Sequence, residues 1–429
     1  MALLKIKPSK VAGEVMASPS KSYTHRAFMV ALLAQGESKV INPLLSFDTE
    51  ATIEAARVLG AGIIQEGEIW RVLGTGGELK PRTDVIDARN SGTTIRLMSA
   101  IAALSPKLVR LTGDESVCAR PMGPLIEALA NLGAKARCEG PQGRPPLVVG
   151  GGLRGGGVEI TGAISSQFIS ALLLASPYAK EDVEITVTEE LRSKPYVEIT
   201  LELLDTAGAR IKRSRDFMEF KIPGGQVFKA RDFEISGDFS SAAFVLAAAA
   251  LAGGTVRVNN LDVRSAQGDK RIIELLREFG ADVRVKGKAV EVSGGGGLSG
   301  IEADCGDNPD LVPALAVLGS VAEGRTRLMN IPHLRFKETD RIRALASELR
   351  KLGGEVKERP DELRVLGVEQ LKGSKLTSYG DHRMAMALAV AGLVARGETI
   401  VDGAESIPVS YPGFVEDMRK LGAKMELMS

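Results

Sequence analysis

Cationic and hydroxyl side chains gather at a few points of the chain, and most of these clusters open a small or apolar run. Lys21, Ser22 and Arg26 lie in SPSKSYTHRA; Asn90, Thr93 and Arg96 in RNSGTTIR; Ser165, Ser166 and Gln167 in ISSQF; Asp381, His382 and Arg383 in GDHRMAM. Further cations stand in CARPMG (Arg120), LRSKPY (Lys194) and FKETDR (Lys337 and Arg341). The chemistry these types can do is anion binding. A helix start presents unpaired N–H groups and about half a positive charge, and guanidinium forks match carboxylate and phosphate oxygens.

Taken singly, each cluster has an ordinary explanation. Ser and Thr cap helices, Glu338 and Arg341 are spaced as a weak helical ion pair, and His382 could be structural. RNSGTT resembles a phosphate loop but lacks the GxxxxGK[ST] spacing. Taken together, helix capping and surface pairing do not explain why Arg and Lys recur beside the starts of nearly all-apolar helices.

The elements that must position these groups form a repeat. Gly60, Gly133, Gly208, Gly280, Gly353 and Gly422 stand in the related texts VLGAGI, NLGAKA, TAGARI, EFGADV, KLGGEV and KLGAKM, 69 to 75 residues apart. Each suits the left-handed stop of a helix, with a strand to follow. Before them, 339–352 places Ile342, Leu345, Leu349 and Leu352 on one face, and 269–279 does the same with Ile272, Ile273, Leu276 and Phe279. A second helix in each unit, starting near Ser22, Ser91, Ser165, Ser240, Asp310 and Asp381, is apolar all round and therefore predicted to be buried. Six units of this size predict an α/β (or α+β) protein of two domains with three units each.

Composition narrows the function classes. Lys and Arg number 55 against 54 Asp and Glu, so no global field draws in nucleic acid or a membrane, and aromatics at 4% offer few stacking platforms. Three scattered cysteines, Cys118, Cys138 and Cys305, argue against a disulfide framework or a zinc site. With no secretory signal pattern at MALLKIKPSK and no stretch of bilayer length, a cytoplasmic location is expected.

In order along the chain, SPSKSYTHRA, NSGTTIR, ARPMGPL, SSQF, SKPY, FKETDR and DHRMAM resemble the signature of the EPSP synthase family, 3-phosphoshikimate 1-carboxyvinyltransferases. The resemblance implies an inside-out α/β fold. Residues 1–19 with 233–429 would form one globular domain and 20–232 the other, with the active site in a cleft that closes on substrate. It implies transfer of the enolpyruvyl group of phosphoenolpyruvate to the 5-hydroxyl of shikimate 3-phosphate, in aromatic amino-acid biosynthesis, by a monomer without cofactor or metal. Carried over by motif, Ser22, Arg26, Ser165, Ser166, Ser193 and Lys337 would hold shikimate 3-phosphate, with Tyr196 against its ring. Lys21 and Gln167 would serve both substrates, Lys21 also as a catalytic residue. Gly92, Arg120, Arg341, His382 and Arg383 would take phosphoenolpyruvate, Asp310 would be the general base and Glu338 the proton donor.

Three positions depart from the family pattern: Val409 aligns with a Lys, His333 with an Asn, and Leu97 with a common Pro. Competing readings are a transferase acting on UDP-N-acetylglucosamine, a binder of nucleic-acid ends, and a sugar-phosphate binder in which Asp310 and Glu338 are idle. The first has Lys-Asn where this chain has Lys21-Ser22, and a reactive Cys five residues before its Arg, whereas Cys118 lies two before Arg120.

Overall fold

The computed structural model describes residues 2–428. These divide into two compact units, Pro19–Ile235 and a discontinuous one made of the residues up to Ser18 and those from Ser236 on.

Each unit contains three four-stranded sheets of one design. An edge strand runs parallel to its neighbour, and the next two pairings are antiparallel. The parallel pair needs a crossover, which the buried helix supplies: Val85–Asp87 leads through the helix Gly92–Ala103 into Val109–Thr112. The amphipathic helix Gly123–Asn131 then leads to the antiparallel strands Lys135–Gly140 and Arg144–Gly150. Strands such as Val183–Val187 bury alternate residues, so each sheet turns one face to the core and the other to solvent.

The helices at the centre are Lys21–Leu33, Gly92–Ala103 and Ser166–Ala175 in the first unit. In the second they are Phe239–Ala252, Val312–Gly319 and His382–Gly392, which pack on one another. Their starts agree with the sequence positions to within two residues, with two differences. Asp238 rather than a serine caps the fourth helix, accepting from the Ser240 amide at 3.0 Å. Asp310 sits in a 3-10 turn, Pro309–Leu311, ahead of its helix, because Pro313 has no N–H to close a first α-turn on the carbonyl of residue 309.

All six repeat glycines have φ between 84° and 115°, a conformation that a Cβ disfavours. The amphipathic helix of the fifth unit is Arg341–Lys351, and Ile342, Leu345, Leu349 and Leu352 are fully buried. The third unit's sheet closes within itself, whereas the first unit's parallel edge strand, Asp232–Glu234, comes from the far end of the domain. Likewise Leu3–Lys7 lies between Thr399–Asp402 and Lys424–Met428, and Gly13–Met16 pairs with Gly254–Asn259. Among the described residues no helix is long and apolar enough to cross a membrane.

Leu345→Ala empties a fully buried position on the helix that carries Arg341. The expected cost is about 2–5 kcal/mol, read as a lowered denaturant midpoint with an unchanged slope.

Candidate active site

In the discontinuous unit, the helix Arg341–Lys351 begins with its arginine turned inward, the side chain 1% exposed. Arg341 donates from Nε to Asp381 Oδ2 at 2.7 Å, from Nη1 to Asp310 Oδ1 at 2.8 Å and from Nη2 to Glu338 Oε2 at 2.8 Å. A second bond from Nη2 reaches Asp381 Oδ1 at 3.3 Å. Burial works against the charge, but Asp381, Glu338 and Asp310 outweigh it and hold the guanidinium pKa above its ordinary value. The other oxygen of Asp310, Oδ2, faces Arg383 Nη2 at 3.0 Å. One guanidinium thus bridges the expected base and the expected acid.

Asp381 is fully buried and caps the last central helix, accepting from the amides of Arg383 (2.9 Å) and Met384 (3.4 Å) while it pairs with Arg341. His382 and Arg383 are the first residues of that helix and both are buried. Lys337 has its pKa lowered by burial, with Asp310 opposing and Arg341 adding to the effect. His333 is buried in the turn Pro332–Phe336, and Val409 is buried at the end of the turn Ala404–Val409.

In the Pro19–Ile235 unit, Lys21 opens its helix and pairs through Nζ with Asp48 Oδ2 at 3.1 Å. Arg26 is buried, donating from Nε to Thr200 Oγ1 (2.7 Å) and from Nη1 to the Ser22 carbonyl (3.0 Å). Its buried Nη2 has no acceptor among the described residues and is the donor open to a substrate oxygen. Burial pushes its pKa down to about 10, with Tyr196 and Tyr23 opposing, so the charge survives at neutral pH.

Ser193 holds φ at +58° immediately before the helix Lys194–Thr206, an uncommon conformation for a serine, and the Tyr196 amide bonds back to its carbonyl. Ser165 caps the Ser166–Ala175 helix. Gln167 accepts from Arg96 Nη1 and donates to Thr93 Oγ1, both at 2.9 Å, tying two helix starts together. Gly92 opens its helix against Arg120: a Cβ on Gly92 would fall 2.1 Å from Arg120 Nη1. Cys118 donates its thiol to the Gly113 carbonyl.

The expected site residues therefore gather into two sets, one in each unit. Lys21, Ser22, Arg26, Gly92, Arg120, Ser165, Ser166, Gln167, Ser193 and Tyr196 belong to one. Asp310, Lys337, Glu338, Arg341, His382 and Arg383 belong to the other. Sequence reasoning missed Asp381 and Asp48 as the carboxylates that hold Arg341 and Lys21. An aspartate directly before His-Arg at the start of an apolar helix is the signal in the sequence that points to Asp381.

A family model described as EPSP synthase (3-phosphoshikimate 1-carboxyvinyltransferase) matches residues 6–418. The chain is 45% identical over 427 residues to the 3-phosphoshikimate 1-carboxyvinyltransferase of Methanocaldococcus jannaschii, covering 99% of each chain. It is 49% identical over 425 residues to that of Methanosarcina mazei, covering 98% of each. A solved EPSP synthase from Acinetobacter baumannii superposes with a TM-score of 0.85 at 27% identity, covering 100% of both chains.

Asp381→Ala leaves the buried Arg341 without its bidentate partner and removes a helix cap. Stability should fall by about 3–5 kcal/mol, measured by chemical denaturation; a loss under about 1 kcal/mol, the worth of a surface pair, would show that Arg341 does not depend on Asp381.

Proposed function

Because the chain belongs to the EPSP synthase family, we infer that its two residue sets carry out that family's reaction: transfer of the carboxyvinyl group of phosphoenolpyruvate to the 5-hydroxyl of shikimate 3-phosphate, releasing phosphate. The observation that supports the assignment of roles is the single guanidinium of Arg341 held between Asp310 and Glu338. UDP-N-acetylglucosamine as acceptor finds no support, since the family match and the cited relatives are shikimate 3-phosphate enzymes.

The reaction needs a base and an acid at once. As the 5-hydroxyl oxygen bonds to C2 of phosphoenolpyruvate, Asp310 takes the hydroxyl proton and Glu338 supplies one to C3. In the elimination that follows, a C3 proton returns to Glu338 while Asp310 gives its proton to the departing phosphate oxygen as the C2–oxygen bond breaks, giving the enol ether and phosphate and restoring both carboxyls. Arg341 keeps both carboxyls in place without itself exchanging protons, its pKa being held high.

The other residues supply anion binding. Arg120, Arg341 and Arg383, with Gly92 and His382, take phosphoenolpyruvate. Ser22, Arg26, Ser165, Ser166, Ser193 and Lys337 take shikimate 3-phosphate, with Tyr196 against its ring; Lys21 and Gln167 serve both. Gly92 matters because any side chain there would push the Arg120 guanidinium from its present place. Val409 and the residues around it offer no cation, so the contact that a family lysine would make is not available from this segment. We propose a monomer, and the three free cysteines agree with a reducing cytoplasm.

Phosphate release should require both substrates together. Asp310→Asn should lower kcat by about two to four decades. The KM for phosphoenolpyruvate should not worsen, because the substitution removes a negative charge beside Arg341 and Arg383. A variant within threefold of the parent would end the assignment of Asp310 as base. Gly92→Ala should instead raise the KM for phosphoenolpyruvate by about one to two decades through the displaced Arg120 contact, with kcat changed less.

A further inference from the structure

Behind the base lies a second carboxyl that the reaction, as read above, does not use. Asp269 stands in the turn Gly268–Arg271 and is 3% exposed. Its Oδ2 accepts from Ser240 Oγ at the start of the Phe239–Ala252 helix. Its Oδ1 accepts from Asn308 Nδ2 at 3.4 Å. Asn308 is two residues before Asp310 and opens the turn that presents it, the Leu311 amide bonding to the Asn308 carbonyl at 3.1 Å. Arg271 Nη1 approaches the Asn308 side-chain oxygen at 3.5 Å and so holds the turn from the other side. Among the described residues no cation forms an ion pair with Asp269, whereas Asp310 has two.

The neighbours define its electrostatics. Asp238 faces it from the cap of the Phe239–Ala252 helix, Cys305 and Asp310 from the preceding loop and turn, and Arg383 from the His382–Gly392 helix; Arg271 follows on its own turn. Two carboxylates in one dry site resist joint ionisation. Ion pairs keep Asp310 charged, so the proton belongs on Asp269.

We propose that Asp269 is a positioning residue for Asp310: it holds the Asn308 turn, carries a proton in the resting enzyme, and on ionising places a second negative charge behind the base. The direction of its titration agrees. Burial, and then the charge of Asp310, push its carboxyl up to about 7, against the Ser240 hydrogen bond and the charge of Arg383.

The consequence is a pH dependence confined to anion binding. Below neutrality the neutral carboxyl leaves Arg341 and Arg383 their full pull on phosphoenolpyruvate; above it, the added charge weakens that pull. Asp269→Asn cannot ionise and keeps the shape of the protonated acid, whose O–H donates to Ser240 Oγ in place of accepting from it, as the amide N–H would. Taking KM ratios between parent and variant cancels the ionisation of the substrates themselves. The ratio for phosphoenolpyruvate should rise on the order of fivefold between about pH 6 and about pH 8.5. A ratio that stays constant with pH would overturn the proposal, since a purely structural role lowers activity equally at all pH.

A readout free of turnover guards against a variant that folds poorly. In infrared difference spectra of the substrate-free enzyme, parent minus Asp269→Asn, a protonated-carboxyl band should disappear with a midpoint near neutral pH. Ser240→Ala, which removes a bond favouring the charged form, should move that midpoint upward. Absence of the band, or a midpoint that Ser240→Ala leaves in place, would refute the proposal. The inference rests on Asp310 acting as base; if the band titrates as stated but Asp310→Asn still turns over, the base assignment falls and the carboxyl pair stands.

Discussion

A guanidinium taken out of water loses its hydration, and the loss is recovered only when carboxylates surround it with good geometry. Arg341 meets that condition three times over, through Asp310, Glu338 and Asp381. The three carboxylates come from different segments, a turn, a loop and a helix cap, so one buried charge fixes the relative places of all three. Removing any one partner leaves charge uncompensated in a low-dielectric interior, which makes the arrangement cooperative. The discontinuous unit sets three basic side chains, Lys337, Arg341 and Arg383, among these three carboxyl groups. A neutral Asp269 keeps that balance from tipping negative.

The Pro19–Ile235 unit meets the same problem differently. Lys21 has a carboxylate, Asp48, but Arg26 is buried among hydroxyl and carbonyl oxygens and accepts a lowered pKa as the result. A chain of short hydrogen bonds, His25 Nδ1 to Thr52, Thr52 to Thr94 and Thr94 to Ser91, each 2.7 Å, ties the helices Lys21–Leu33, Phe47–Val58 and Gly92–Ala103 together. Burial, then the charges of Lys21 and Arg26, push the His25 pKa well below its ordinary value. The ring is therefore neutral and adds no repulsion to the cations beside it. Hydroxyl groups thus tie these helices to one another.

Both units depend on helices placed inside sheets. A helix apolar on every side can be buried whole, and its start then delivers N–H groups and cap residues to one end of the bundle. The amphipathic helices, by contrast, need only one buried face, and they carry fewer of the assigned groups. Those they do carry stand at their first turns: Arg341 opens one amphipathic helix, and Ser193 and Tyr196 lie at the start of another, Lys194–Thr206.

Local periodicity was enough to read the six units, the glycine helix stops, the all-apolar helices and the buried face of Arg341–Lys351. Each of these depends on residues within a turn or two of one another, where spacing translates directly into geometry. The family itself was legible as well, because its signature lies in short contiguous motifs such as NSGTTIR and FKETDR. What the sequence could not disclose was pairing across distance. Leu3–Lys7 lies beside strands some 400 residues later, Asp232–Glu234 completes the sheet of the first unit, and Arg341 binds Asp381 40 residues away. The unused carboxyl of Asp269, behind Asn308, was invisible for the same reason. Which charges neutralise one another is set by the packing of whole helices, and a buried charge is stabilised by whatever lies against it in space, a relation that spacing along the chain does not encode.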